Sequence, residues 1–198
     1  MTNRAAPEQT SLAPDFTDIL ATLAARGRQV MVVGALMIAI GSASLAFLGA
    51  SQVPSIVPVG FAMALCAVLE LGIGHYGRSG GARSTPWDAS GALMALASVV
   101  VMTSPLLPSF LFSTLAGLLL MGAGWARLRA STLINIRSKS AILPISASSS
   151  ILIGILLVTR WGAGDMTATG GLFALDLVVT GWGLVGLSVT LKRLMSLN

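Results

Sequence analysis

Three ionisable residues lie inside or beside long apolar runs, and they are where this chain could do chemistry: Glu70, Arg127 and Asp176. An ionisable group held in hydrocarbon is costly to desolvate, so each is a functional candidate by default. Their spacing adds a constraint. Glu70 and Arg127 are 57 residues apart, the same interval that separates Gly34-Ala35-Leu36-Met37 from Gly91-Ala92-Leu93-Met94. It also separates Gly60 from Gly117, and Gly117 from Ala174. Glu70 and Arg127 thus occupy equivalent places in successive copies of one unit. They are expected to form an ion pair across the inner ends of the first two units; the third copy has Leu184 there. The alternative is that Arg127 snorkels to the lipid headgroups.

Asp176 falls near the middle of the last apolar run, two residues after Ala174. That offset is about 200° around a helix, away from the small-residue face. Asp176 is expected either to face a central polar cavity or to bond a neighbouring hydroxyl such as Thr180. Asp176 and Glu70 are candidate proton-responsive groups; the plainer reading of Asp176 is a neutral acid hydrogen-bonded in the bundle. Other chemistry is sparse. Cys66 is the only cysteine and His75 the only histidine, so neither an intrachain disulfide nor a Cys/His metal cluster can be drawn. Walker, HExxH and GxSxG motifs are all missing from the sequence. The run Ser146-Ala147-Ser148-Ser149-Ser150 has no base beside it and reads as a source of interhelical hydrogen-bond donors. These features predict a protein that is not an enzyme, with no catalytic residue, metal or cofactor.

The elements that must position these residues follow from composition. Hydrophobic residues make up 55% of the 198 and charged residues 10%, against about 25% charged in soluble domains. A soluble fold could not clothe its surface with so few charges; a lipid bilayer removes the conflict. The net charge of +5 does not indicate nucleic acid, because the basic residues lie between apolar runs and form no aromatic-studded patch. Six runs stand out, at about Val30–Ala50, Ile56–Tyr76, Trp87–Met102, Leu107–Trp125, Ala141–Thr159 and Thr169–Leu191. Each approaches the roughly 20 residues a helix needs to cross hydrocarbon. Continuous apolar runs predict helices, not alternating barrel strands. Ahead of them, residues 1–14 are polar and expected to be disordered. Asp15–Arg26 carries Phe16, Ile19, Leu20 and Leu23 at amphipathic spacing. This short helix is either a membrane-surface anchor or a helix laid across the bundle.

Orientation follows from the basic residues. With six alternating spans, eleven of the 12 fall on one side, among them Arg4, Arg26, Arg28, Arg78, Arg83 and Lys192. Only Arg160 falls on the other. The positive-inside rule then places both termini in the cytoplasm of a bacterial inner membrane. Trp87, Trp125 and Trp161 are expected near interfaces, and Trp182 inside the bundle.

Within each run small residues recur seven apart: Gly34/Gly41, Gly60/Ala67, Gly91/Ser98, Gly117/Gly124, Ala147/Gly154 and Ala174/Gly181. Seven residues are nearly two helical turns, so each pair shares a face and lets a neighbouring backbone approach. In the fifth run this pairing is displaced by one residue from the 57-residue interval. The expected fold is an all-α membrane protein: six transmembrane helices as three parallel two-helix repeats in a pseudo-threefold bundle. A cytoplasmic segment, 1–28, precedes a transmembrane domain, 29–198, with repeats at about 29–84, 85–140 and 141–198.

Over about Arg26–Arg193 the chain resembles the HdeD family of bacterial membrane proteins. The resemblance rests on the three two-span units and on stretches such as Gly117-Leu118-Leu119-Leu120-Met121-Gly122-Ala123-Gly124-Trp125 and its counterpart Ala174 to Trp182. It implies a non-enzymatic role in resistance to acid or envelope stress, exerted through the lipid bilayer, a homo-oligomer or a membrane protein partner. The alternative is a small channel or proton-linked transporter using the intramembrane carboxylates.

Overall fold

The computed structural model describes residues 27–50, 56–77, 86–138, 142–159 and 165–195. The expected Asp15–Arg26 helix, the polar residues before it, the basic linker containing Arg78 and Arg83, and the Arg160–Trp161 pair lie outside the described residues. Among those described there are six α-helices and no strand: α1 Gly27–Ala50, α2 Val57–Gly77, α3 Pro86–Met102, α4 Ser109–Ser138, α5 Ile142–Val158 and α6 Met166–Met195.

Four helical segments are long and apolar enough to cross a membrane: Gly27–Ala50, Val57–His75, Ser109–Thr132 and Thr167–Thr190. The two shorter apolar helices are α3 and α5, at 17 residues each. The outside of the molecule is as greasy as its interior, with Phe61, Val68, Leu96, Leu118, Ile145 and Leu152 all exposed. Apolar surface of that extent is untenable in water and ordinary in lipid. The chain is a helical, membrane-embedded protein.

Local chemistry ends the helices. Thr103 closes α3 by donating its hydroxyl to the carbonyls of Val99 (2.8 Å) and Val100 (3.2 Å). A 3-10 turn, Ser104–Leu106, and Pro108 then reverse the chain into α4, whose Phe112 N–H bonds back to the Pro108 carbonyl. At the start of α6 the Asp165 carboxylate accepts from the N–H groups of Thr167 (2.8 Å) and Ala168 (3.2 Å). That satisfies donors a helix start leaves without partners.

The most extensive helix contacts pair α1 with α6, α2 with α3, and α4 with α5. All three are antiparallel and built on the small residues. A methyl group on Gly34 would lie 2.8 Å from the Gly181 carbonyl oxygen, and one on Gly181 would lie 2.6 Å from that of Gly34. Gly117 and Gly154 repeat this reciprocity at 2.7 and 2.6 Å. One heptad along, Gly41 faces the Ala174 carbonyl and Gly124 the Ala147 carbonyl, each at 2.9 Å. Between α2 and α3, Gly60 abuts the Met102 backbone and Gly91 the Leu71 backbone. Ala147 is buried while Ser148 is exposed, which fixes the one-residue displacement of α5. At the α1–α6 junction, Ser188 donates its hydroxyl to the Gly27 carbonyl at 2.6 Å.

The interior toward the α3–α4 turn is mostly apolar, with Ser104 and Ser113 also buried at that end. Val59, Met63, Ala116, Leu120, Phe173 and Leu177 are fully buried there, and the Phe112 and Phe173 rings meet at 6.4 Å. One expectation is corrected here: Trp182 is not inside the bundle but 60% exposed, on the same outward face as Leu175 and Val189. Seven-residue spacing puts Trp182 near Leu175 and Val189 on the lipid-facing side, one residue past the buried Gly181.

Candidate functional site: a buried charge network

The polar centre is assembled by α2, α4 and α6, with help from α3 and α5. On α2, Met63, Ala67 and Glu70 are buried at helical spacing; on α4, Leu120, Ala123 and Arg127 are too. Each helix therefore carries its charge on its inward face, one or two turns beyond an apolar layer. Arg127 is 6% exposed, Glu70 1% and Asp176 0%.

Arg127 is the hub. Its Nη2 donates to Glu70 Oε1 at 2.6 Å. Its Nη1 donates to Ser150 Oγ and to Thr180 Oγ1, both at 2.9 Å. The other Glu70 oxygen, Oε2, accepts from the Ser90 hydroxyl at 2.8 Å, so both carboxylate oxygens are engaged. Ser150 accepts from the guanidinium and donates to Asp176 Oδ1 at 2.5 Å. A hydroxyl has one proton to give, and this short contact takes it in preference to the Ser146 carbonyl at 3.4 Å. The second Asp176 oxygen, Oδ2, has no hydrogen-bond partner among the described residues and lies 3.8 Å from Arg127 Nη1. Arg127 Nε is likewise without a hydrogen-bond partner.

The structure thus brings all three sequence candidates into one cluster. Snorkelling of Arg127 to a headgroup is corrected: its guanidinium turns inward, where two carboxylates and two hydroxyls receive it. Asp176 does bond a neighbouring hydroxyl, though not that of Thr180. Asp176 bonds Ser150 on the neighbouring α5, while Thr180, one turn along its own helix, accepts from Arg127. Of the serine run, only Ser150 bonds a side chain of another helix among the described residues. Ser146 and Ser149 donate to carbonyls of their own helix, from Leu143 and Ser146. Sequence reasoning named neither Ser90 nor Ser150 as a partner of the charges.

A small pocket lined by Glu70, Arg127, Ser146, Thr180, Trp87 and Leu143 reaches the network. Trp87 and Leu143 sit at the starts of α3 and α5, so the pocket lies toward that end of the bundle. Among the described residues no group of three His, Cys, Asp or Glu side chains could hold a metal ion. Cys66 is buried in apolar packing, within electrostatic reach of all three charges.

No family model, no curated protein and no solved structure matches this chain.

Proposed function

We propose that this chain is a non-enzymatic, multi-pass protein of the bacterial inner membrane, of the HdeD type, that supports resistance to acid or envelope stress. In this reading all six helices cross the bilayer. The 17 residues of α3 and of α5 reach about 25 Å at 1.5 Å per residue, enough for a thin hydrocarbon core. The helices form three two-helix units, α1–α2, α3–α4 and α5–α6, around a pseudo-threefold axis. Support comes from the seams: the second helix of each unit packs on the first helix of the next, and α6 closes on α1. Both termini face the cytoplasm, on the strength of the basic-residue distribution.

The observation that carries the functional reading is the single guanidinium shared between Glu70 and Asp176 in an otherwise apolar bundle. Charges this deep are retained against a desolvation penalty, and proton-responsive work is one reason to keep them. The test is survival of the bacterial host after acid challenge. Deletion of the gene lowers survival; the wild-type chain restores it, and Arg127→Met at equal membrane abundance does not. Unchanged survival of the deletion strain under both acid and envelope stress rejects the reading.

The second reading, a small channel or proton-linked transporter, is favoured by the pocket that meets Glu70, Arg127 and Thr180 from one end of the bundle. The buried layer of Met63, Leu120, Phe173 and Leu177 beyond it weighs against a continuous passage. Proton flux in reconstituted vesicles, abolished in Asp176→Asn, is the result that would promote it.

A further inference from the structure

We propose that the buried network binds one proton, carried by Asp176, while Arg127 is committed to Glu70. This deepens the proton-responsive part of the reading above and rests on the chain being membrane-embedded. The argument begins with counting charge. One cation faces two carboxylates, so with both acids ionised the cluster carries a net charge of −1 in a dry interior. A charge left without compensation there takes up a proton instead of remaining ionised.

Geometry says which acid takes it. Glu70 holds the guanidinium at 2.6 Å and has its second oxygen bonded by Ser90. Asp176 stands 3.8 Å from the guanidinium, receives one hydroxyl, and leaves Oδ2 without a hydrogen-bond partner. Glu70 therefore has two donors stabilising its anion and Asp176 has one. The proton comes from water and adds to the Asp176 carboxylate to give the neutral acid, taking the cluster from −1 to zero.

Along α1, Val30–Ala50 contains no ionisable residue, and α5 contains none. On α2 the groups facing the cluster are Cys66 and Glu70; on α4, Arg127. The sole acid of α3, Asp88, sits in its first turn against Gly74. A small pocket borders Glu70, Arg127, Ser146 and Thr180 at one end of the bundle.

The test is infrared spectroscopy of the full-length protein in lipid vesicles at neutral pH. The expected result is a protonated-carboxyl C=O band that is lost in Asp176→Asn and displaced in Asp176→Glu. In Glu70→Gln the guanidinium loses its first partner, Asp176 becomes its counter-ion, and the band disappears. Absence of the band in the wild type, or its persistence in Asp176→Asn or Glu70→Gln, overturns the proposal. The wild-type spectrum is decisive even where a variant does not fold. Acid survival tests the stress role separately: a missing band with an intact survival defect sinks this inference alone.

Discussion

Removing the charges of the central pair one at a time and then together tests whether Glu70 and Arg127 act as a unit. Arg127→Met deletes the hub: hydrogen bonds at 2.6, 2.9 and 2.9 Å vanish, and Glu70 is stranded beside Asp176. Breaking a buried pair in this way costs about 3–5 kcal/mol. Glu70→Gln is gentler. It exchanges a charge-assisted hydrogen bond, worth about 1.5–3 kcal/mol, for a neutral one worth about 0.5–1.5. Asp176, 3.8 Å away, releases its proton and becomes the counter-charge, so the net loss is about 1–2 kcal/mol. In the double variant there is no cation left to satisfy, and replacing Glu70 removes a stranded carboxylate. Its loss should therefore match that of Arg127→Met or fall below it, giving a coupling energy of about 1–2 kcal/mol or more. The assay is equilibrium unfolding in mixed micelles, driven by a rising fraction of denaturing detergent and followed by helical circular dichroism. A double-variant loss equal to the sum of the two single losses within about 0.5 kcal/mol refutes the reasoning.

Three further outcomes follow from the structure, the first two read by the same unfolding assay. Gly117→Ala should destabilise by about 1–3 kcal/mol, because its methyl would meet the Gly154 carbonyl at 2.7 Å; Gly49→Ala, with nothing within 4 Å, should change stability by less than about 0.5 kcal/mol or raise it. Ser150→Ala removes the only hydroxyl that bonds Asp176 among the described residues and one acceptor of Arg127, costing about 1–3 kcal/mol, whereas the exposed Ser148→Ala is neutral. In vesicles of brominated lipid the fluorescence of Trp125 and Trp182, 58% and 60% exposed, is quenched, while that of Trp87, 5% exposed, is spared; single-tryptophan variants separate the signals.

The central pair is legible in the sequence because a 57-residue interval says which positions share a depth, and Glu70 and Arg127 are 57 apart. The small-residue seams are legible for the same kind of reason: Gly34, Gly41, Gly117 and Gly154 recur at a spacing that only a close backbone approach explains. The rest of the network is hidden. Serines inside helices usually bond their own backbone, as Ser98, Ser146 and Ser149 do here, so nothing marks Ser150 out by type. Its signal is positional. With the one-residue displacement of α5, Ser150 falls where the first two units carry Met37 and Met94, both fully buried; a polar residue replacing two core methionines needs a polar neighbour. Spacing along one helix can point Asp176 only to a hydroxyl such as Thr180; the hydroxyl it bonds, Ser150, comes from the neighbouring α5. The place of Trp182 is not legible, because hydropathy alone does not tell a lipid-facing ring from a core one.

The account stands on six helices crossing the bilayer with both chain ends on the cytoplasmic side. The direct measurement is accessibility of single cysteines, placed one at a time in a Cys66→Ala background, to a reagent that does not cross membranes. A cysteine at Leu106, 84% exposed in the turn between α3 and α4, is expected to react in intact cells. Cysteines at Gly80 and Asn198 are expected to react only once the membrane is opened. Labelling of Asn198 from outside, or the same sidedness for Leu106 and Gly80, would contradict it.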